Sequence, residues 1–511
     1  MRVSILVAGI FWPFLFCLPL FAAEAPTRSI SLQECIDLAL SHNLDLQVER
    51  FSSEIARYAL QGAYGPYDPT FTFRALREHV DAPADFDPHK FSLDFPYILR
   101  QDTLSAALEG NTPIGLSYKL NTLAGTKDAS TDFNADFGNA NDFFFGIRNT
   151  NNAFAGADVS VRQHLLKDFW IDQDRATVRI RQKELKMTEQ ALRFQVMRVV
   201  LAVELAYYDL IVARQQVRVE EQSLELNQQL VTETHRRVDV GDLPPLDAEQ
   251  AETQLQNTLT ALAAAREALG NRANALKGLL TDDFRQWAET ELEPTDTLVA
   301  VPVSVDRSYS FQQALASRPD LAEARLAIER TAVSVQFRYN QLFPSLDLVG
   351  SYGDSSVESG LSRAVGDTYM FREPDYAYGA VVSFPLANTS ARNQYAASKT
   401  ARQLAELQLK KAEQGVFLQV ADWVNRVQSR FTQVASTRKA RSYAESALES
   451  EQKKWQNGLS TAFFVLQAQA TLTTARSAEV FSLADYNRAL AQLAFAEGNT
   501  LQKHHVTVQV K

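Results

Sequence analysis

Cysteine is almost missing from this chain of 511 residues; there are 2, too few for a disulfide framework or a cysteine-built zinc module. Basic charge is short as well. Lys and Arg number 51 against 61 acidic residues, a net charge of −10, whereas a nucleic-acid binder needs a basic footprint to displace counterions from phosphate. After the first 25 residues no apolar run approaches the ~18 that a membrane helix requires. The 7 histidines include no pair four apart around a glutamate, and no glycine-rich phosphate loop is present. Ser436-Thr437-Arg438-Lys439 has the Ser-x-x-Lys spacing of a nucleophile, but it lies in a long heptad helix where such tetrads arise freely. No enzyme, cofactor, metal site or nucleic-acid partner is therefore expected. At 46% apolar and 22% charged residues, the composition is globular, and the chain is long enough for two or three domains or one large repetitive one.

Residues 1–23 read as a secretory signal peptide. Arg2 supplies the positive start, Val3 to Phe21 is nearly all apolar, and Ala22, Ala23 and Ala25 follow. Pro13 and Pro19 interrupt the run, which suits a removable leader better than a stable anchor. Cys17 follows Leu15 and Phe16 rather than a small residue, so lipid attachment is not expected. Cleavage would leave Cys35 alone, most simply as a small buried apolar side chain.

The chain repeats itself. Ala39-Leu40-Ser41-His42-Asn43-Leu44-Asp45-Leu46 resembles Ala314-Leu315-Ala316-Ser317-Arg318-Pro319-Asp320-Leu321, an offset of 275 (39 to 314) that persists from Glu54 and Glu329 to Pro69 and Pro344. Later, Gly241 with Gln250-Ala251 meets Gly458 with Gln467-Ala468 at an offset of 217 (241 to 458). The first half thus carries an insertion of 58 residues, the difference between 275 and 217, within one duplicated plan.

Each half has a short helical piece, an alternating β piece and two long helices. Ser31 with Glu34 forms a capping-box pattern ahead of a helical stretch from Leu32 to Gly62, which Pro66 and Pro69 stop. From Asp172 to Val238 there is neither proline nor glycine. Val196, Val203, Leu210, Val217, Leu224, Val231 and Val238 fall seven apart, beside a second line of Leu185, Leu192, Val199, Ala206 and Ala213. That period predicts a supercoiled helix with neighbours on both sides. Gly241, Pro244 and Pro245 turn the chain, and Leu246 to Leu280 returns; the second half repeats this from Ser390 to Trp455, across Asn457-Gly458, and back from Thr461 to Glu497. The returning helices are too short to match their partners. Leu44 to Gly62 and Asp320 to Gln341 have the missing length and are expected to stack end to end with them.

Four segments alternate with the period of a strand: around Phe71 and Phe73, Ala155 to Val161, Leu346 to Tyr352, and Tyr376 to Phe384. Lengths near nine residues suit tilted strands crossing a bilayer, apolar toward lipid and polar toward a lumen. Tyr64, Tyr67, Phe143 to Phe145, Phe154, Phe343, Tyr369 and Phe371 stand near their ends, as an interfacial girdle requires. A half-exposed soluble sheet would alternate identically. Four strands cannot close a barrel, so closure requires several copies of the chain. A further hairpin, Leu104 to Leu108 and Ile114 to Tyr118, could join the wall or sit outside it.

The tip sequences Val238-Asp239-Val240-Gly241 and Trp455-Gln456-Asn457-Gly458-Leu459-Ser460, the repeat openings at Leu44-Asp45-Leu46 and Arg318-Pro319-Asp320-Leu321, and the signatures around Pro69 and Phe343-Pro344-Ser345 resemble the TolC-like outer-membrane efflux protein family. The resemblance covers nearly the whole mature chain. It implies a mainly α fold with a β-barrel part: a homotrimer pooling its strands in outer-membrane lipid and prolonged by a helical barrel into the periplasm. It also implies docking of the tips, here Gly241, Leu243, Gly458, Leu459 and Ser460, on a periplasmic adaptor protein served by an inner-membrane pump of RND or ABC type. Members often carry aspartates just beyond the second tip glycine. Here Phe464 and Gln467 stand there, while Asp247 matches the first-repeat aspartate and Asp242 lies beside it. The expected constriction is Asp242, Asp247, Gln250, Phe464 and Gln467, with Phe464 replacing the missing acids by an apolar ring. The acids could equally serve only as first-turn complements to a helix dipole.

The implied layout is a first repeat over 24–280 (β segment 70–163, helix pair 172–280), a linker or equatorial segment over 281–307, a second repeat over 308–497 (β segment 345–386, helix pair 390–497) and a tail over 498–511. The expected function is a passive exit duct for small molecules. The alternatives are the outer-membrane conduit of a type I protein secretion system and a periplasmic coiled-coil scaffold that forms no channel.

Overall fold

The computed structural model describes residues 27–83, 85–87, 92–132, 147–372 and 374–507. The expected leader and Phe143 to Phe145 lie outside the described residues. The elements run β1 (Thr27–Ile30), α1 (Leu32–His42), α2 (Leu44–Gly62), β2 (Thr70–Ala82), β3 (Asp85–Asp87), β4 (Ser92–Asp94), β5 (Tyr97–Asn111), β6 (Leu116–Asp132), β7 (Ile147–His164), α3 (Gln173–Asp239) and α4 (Pro245–Leu280). They continue with α5 (Phe284–Trp287), β8 (Glu291–Pro294), α6 (Arg307–Ser317), α7 (Pro319–Asn340), β9 (Ser345–Glu358), α8 (Leu361–Tyr369), β10 (Pro374–Ser383), α9 (Thr389–Gln456), α10 (Ala462–Ala496) and α11 (Thr500–Lys503). Two compact units result. One joins the chain up to Leu44 with Val199–Ser304 and Asn425–Leu493; the other joins Asp45–Arg198 and Val305–Val424 with the chain from Ala494.

In the first unit the seven-spaced positions form the core, as a heptad seam must. Val203, Leu210 and Val217 on α3 and Val427 and Val434 on α9 are all buried. Val217 packs with Leu262 and Ala265 of α4. Asn227 is buried too, and its amide Nδ2 donates to Thr258 Oγ1 at 2.8 Å inside the helix pair, while its Oδ1 accepts from no described group. The stretch 281–307 is pinned rather than loose. Its β8 pairs in parallel with β1, and the Tyr207 hydroxyl lies 3.0 Å from Ile30 O and 2.8 Å from the Asp296 carboxylate. Ser31 caps α1 by accepting from the Glu34 N–H. The capping box is only half formed, because the Glu34 carboxylate is engaged by Arg28 at 2.8 Å. Cys35 is buried, and burial pushes its thiol up to about 12, so it is inert at neutral pH.

The helix expected over Leu32 to Gly62 breaks at Asn43, where the backbone is extended. The break has a use. Asn43 donates from Nδ2 to Leu279 O in the last turn of α4 (3.1 Å). Its counterpart by the 275 offset, Arg318, separates α6 from α7 and donates from Nη1 to Ala496 O at the end of α10 (3.1 Å). Each half thus satisfies an orphan C-terminal carbonyl of its returning helix with a buried side chain from the same repeat position.

The second unit holds the sheet. Its order is β10-β9-β7-β6-β5-β2, every neighbour antiparallel. Four strands were expected and six are present. The hairpin left open by the pattern supplies the other two, β5 and β6, in mid-sheet with Gly115 at φ +81° in the turn. The strands also exceed the expected nine residues, from 10 in β10 to 18 in β7. Beyond the apolar rows β6 and β7 continue as Lys127-Asp128 against Asn151-Asn152, where the ladder persists but no apolar period marks it. One element that packs on the sheet was not anticipated. The short helix α8 lies on the sheet, with Ala364 against Ala153 and Ala155, whose small side chains make room for it.

Candidate functional site

Both long helix pairs turn on the same local device. Gly241 has φ +83° and Gly458 has φ +72°, the left-handed region that a Cβ penalises. After α3, Asp242 N–H bonds Arg237 O and Gly241 N–H bonds Val238 O; after α9, Leu459 N–H bonds Lys454 O and Gly458 N–H bonds Trp455 O. These are two Schellman closures, which satisfy the last helical carbonyls and reverse the chain.

A clasp joins the two turns. The Arg237 guanidinium lies 4.3 Å from the Trp455 ring centroid. Its Nη1 donates to Trp455 O at 3.2 Å and its Nε to Glu233 at 2.9 Å. Trp455 is buried with Leu230, Leu448, Ala462 and Val465, and Leu243 packs against this cluster. Glu451 accepts from the Ser460 hydroxyl and from Lys454 Nζ, and both hold its carboxyl below the usual range. The hydrogen bonds from Arg236 and Arg237 do the same for Glu233.

Against this geometry the expected tip residues divide. Gly241, Gly458 and Leu459 are exposed, Leu459 at 78%. Leu243 and Ser460 are half-buried and turned toward the clasp, a rotation that glycine spacing alone does not reveal. Asp242 is exposed, and Asp247 sits in the first turn of α4, its N–H on Pro244 O. Gln250 and Gln467 face one groove between α4 and α10, with Leu246, Phe463 and Leu466 in its walls. Phe464 is 51% exposed but does not line that groove; Phe463, 56% exposed and edge-on to it at 5.6 Å, does. Sequence reasoning passed over Phe463, although the Phe-Phe doublet was the available signal.

The sheet forms a second surface. Directly opposed residues build one row across all six strands: Phe71, Leu108, Leu120, Val159, Tyr352 and Tyr376. Each is at least 37% exposed, Tyr376 reaching 73%. The next row, on the other face by the pleat, is Thr72, Ala107, Asn121, Asp158, Gly353 and Asp375. On the other side of the apolar row, and on that same polar face, comes Thr70, Glu109, Lys119, Ser160, Ser351 and Ala377. One face is apolar, covered by α8 around Ala153 and Ala155 and open along the row from Phe71 to Tyr376; the other is polar and knitted by bonds such as Asn121 to Asp158 (3.1 Å). Of the expected girdle, Phe371 stacks on Tyr352 and Tyr369 contacts Thr122, both reaching the apolar face from around α8. Phe154 does not belong to that face. It directly opposes Gly125 and alternates with Ala153 and Ala155, which face α8.

Two features define the class of fold, a duplicated set of long coiled-coil helices and a two-faced antiparallel sheet. The profile of the outer membrane efflux protein family matches residues 124–281 and 311–499, and the chain belongs to that family. It is 24% identical over 294 residues to the cation efflux system protein CusC of Escherichia coli strain K12, covering 57% of this chain and 61% of CusC. It is 25% identical over 281 residues to the outer membrane efflux protein BepC of Brucella suis, covering 54% and 58%. The chain thus spans about six-tenths of the length of these curated relatives. Its fold matches the outer membrane protein VceC of Vibrio cholerae at a TM-score of 0.65 and 18% identity, over 91% of this chain and 96% of VceC. The expected family and the mainly α fold class with its sheet are borne out.

Proposed function

We propose that this chain is the outer-membrane channel of a tripartite efflux system, a passive homotrimeric exit duct that spans outer membrane and periplasm and exports small molecules. The observation that carries this reading is the two-faced sheet: an exposed apolar row on six strands, a polar face behind it, and, among the described residues, an unpaired edge at each end. In water such a face and such edges invite aggregation; in lipid, with neighbouring copies closing the wall, both are satisfied. The family consists of channel proteins whose members serve tripartite pumps as trimers, which supports the same assembly here. Power comes from the inner-membrane pump, and the exposed Gly241, Gly458 and Leu459 present the tip to the periplasmic adaptor. Asp242 and Asp247 place negative charge at the periplasmic mouth, favouring cations. Phe464, exposed and next to the groove-lining Phe463, narrows the bore in place of acids.

The test is electrical. Oligomer purified from outer membranes and added to a planar bilayer should carry ion current; a membrane-free, non-conducting protein rejects the duct. The gate has its own test: Phe464→Ala should raise single-channel conductance, and an unchanged conductance removes Phe464 from the constriction.

A further inference from the structure

We infer that the wall of this channel is an eighteen-stranded barrel, in which each of three copies contributes all six strands and β2 of one copy pairs with β10 of the next. The inference rests on the trimeric reading above and specifies the interface it uses.

Three observations support it. The sheet has six strands, and among the described residues of one copy β2 and β10 each pair on one side only. Six are too few to close alone, since about eight is the practical minimum. All five internal steps are antiparallel, so β2 and β10 run in opposite directions and a copy added at either edge continues the alternation without a parallel step. An odd number of strands per copy would break this. Finally, the most exposed apolar side chains of the central row sit on its edge strands: Phe71 at 67% and Tyr376 at 73%, against Leu108 at 37%, Leu120 at 43% and Val159 at 43% within the sheet. Exposure falls where a strand has two neighbours and stays high where one is missing. Both edge strands are exposed over almost their whole length, and on β2 the apolar face carries Phe71, Phe73 and Ala75 before its first charge at Arg77, so this stretch of the edge is not blunted. The occupant is therefore a second copy of this chain.

The hairpin β5–β6 decides the width. Without it each copy would offer four strands and three copies twelve; with it the circumference is about half as large again, because barrel diameter grows roughly linearly with strand number. The membrane section is then wider than a four-strand copy could make it, and selection falls to the periplasmic tips.

Single cysteines along β5 and β6 test the wall. In the trimer in lipid, Ser105→Cys, Ala107→Cys, Lys119→Cys and Asn121→Cys should react with a charged thiol reagent roughly tenfold faster than Leu104→Cys, Leu108→Cys and Leu120→Cys, because lumen and lipid alternate along a wall strand. Uniform labelling puts the hairpin outside the wall and overturns the inference. Double-cysteine variants that pair Thr70, Thr72 or Arg74 with Asp375, Ala377 or Gly379 test the edge. At least one pair should yield disulfide-linked trimers; linkage in none overturns the β2–β10 interface. Should a double variant fail to fold, the single-cysteine scan still decides. Loss of the membrane-inserted trimer in the unmutated protein would instead defeat the channel reading itself, and a conducting trimer with uniform labelling defeats only the strand count.

Discussion

The two halves of the chain match in helix and differ in sheet. The outgoing helices α3 and α9 have 67 and 68 residues, the returning helices α4 and α10 have 36 and 35, and α1 and α6 have 11 each. In the sheet the first half supplies β2, β5, β6 and β7 and the second only β9 and β10, with α8 between them. A helix in a seam must keep its length, because each added turn leaves the heptad contacts of its partner unmet. An antiparallel sheet accepts a hairpin inserted between two strands at little cost, since both new strands find ladder partners and the alternation is preserved. The duplicated helices are thus tied to each other, while the sheet records where the halves diverged.

That contrast can be broken experimentally, most severely in the core. Leu46 and Leu321 occupy the same repeat position at the 275 offset and are 1% and 0% exposed. Leu46→Ala and Leu321→Ala should each cost about 2–5 kcal/mol, read as a drop in the thermal midpoint of the purified oligomer. Comparable losses confirm that the two helical frames are equally tight; a loss at one position alone would show that one half has become accessory.

The next position is asymmetric by chemistry. Arg318 is 6% exposed and binds Asp320 (2.7 and 3.0 Å), Gln419 (2.8 Å) and Ala496 O. Arg318→Ala should cost about 3 kcal/mol, because Asp320 loses its counter-charge and a helix-terminal carbonyl its donor. Asn43→Ala removes the corresponding bond to Leu279 O and should cost only about 1–2 kcal/mol. If denaturant midpoints placed the asparagine above the arginine, the arginine would be acting through its exposed neighbours rather than at the junction.

What was legible follows the same division. The helix pairs are visible because sixty-odd residues without proline or glycine leave few alternatives, and seven-residue spacing names the buried face. The turns are visible because Gly241 and Gly458 must adopt positive φ. The extra strands were half visible: Leu104 to Leu108 alternates, but the flanking Gln101 to Thr103 and Lys127 to Thr131 are laddered into the sheet without an apolar signature. The helix α8 and the β1–β8 pair were invisible, being nine and four residues long, below what periodicity resolves. At the tip, residue types were legible and directions were not. Whether Ser460 looks outward or to Glu451 depends on a partner nine positions back, in α9.

The turn glycines offer an effect that should be equal in the two halves. Nothing lies within 4 Å of a Cβ built at Gly241 or Gly458, so Gly241→Ala and Gly458→Ala should each cost about 1 kcal/mol through φ alone. Unequal shifts in thermal midpoint would mean that one turn carries strain from the Arg237–Trp455 clasp.

The smallest effect sharpens the contrast by pH. Glu323 on α7 has its carboxyl raised above its ordinary 4.5 by burial first and then by Asp320 and Glu49; the first-half position at the same offset is the uncharged Val48. A raised acid binds its proton more tightly folded than unfolded. Its contribution is therefore favourable at low pH and is lost as pH climbs from about 4.5 through the raised folded value. Glu323→Gln removes that loss. Above the window the variant should be the more stable by roughly a few tenths of a kcal/mol, since solvent screens a half-buried carboxyl, and the difference should shrink as the pH is lowered through it. Midpoints measured at several pH values would show the gap opening with rising pH. A gap of constant size would assign the effect to packing of the amide, and would leave the second half no more pH-sensitive at this position than the first.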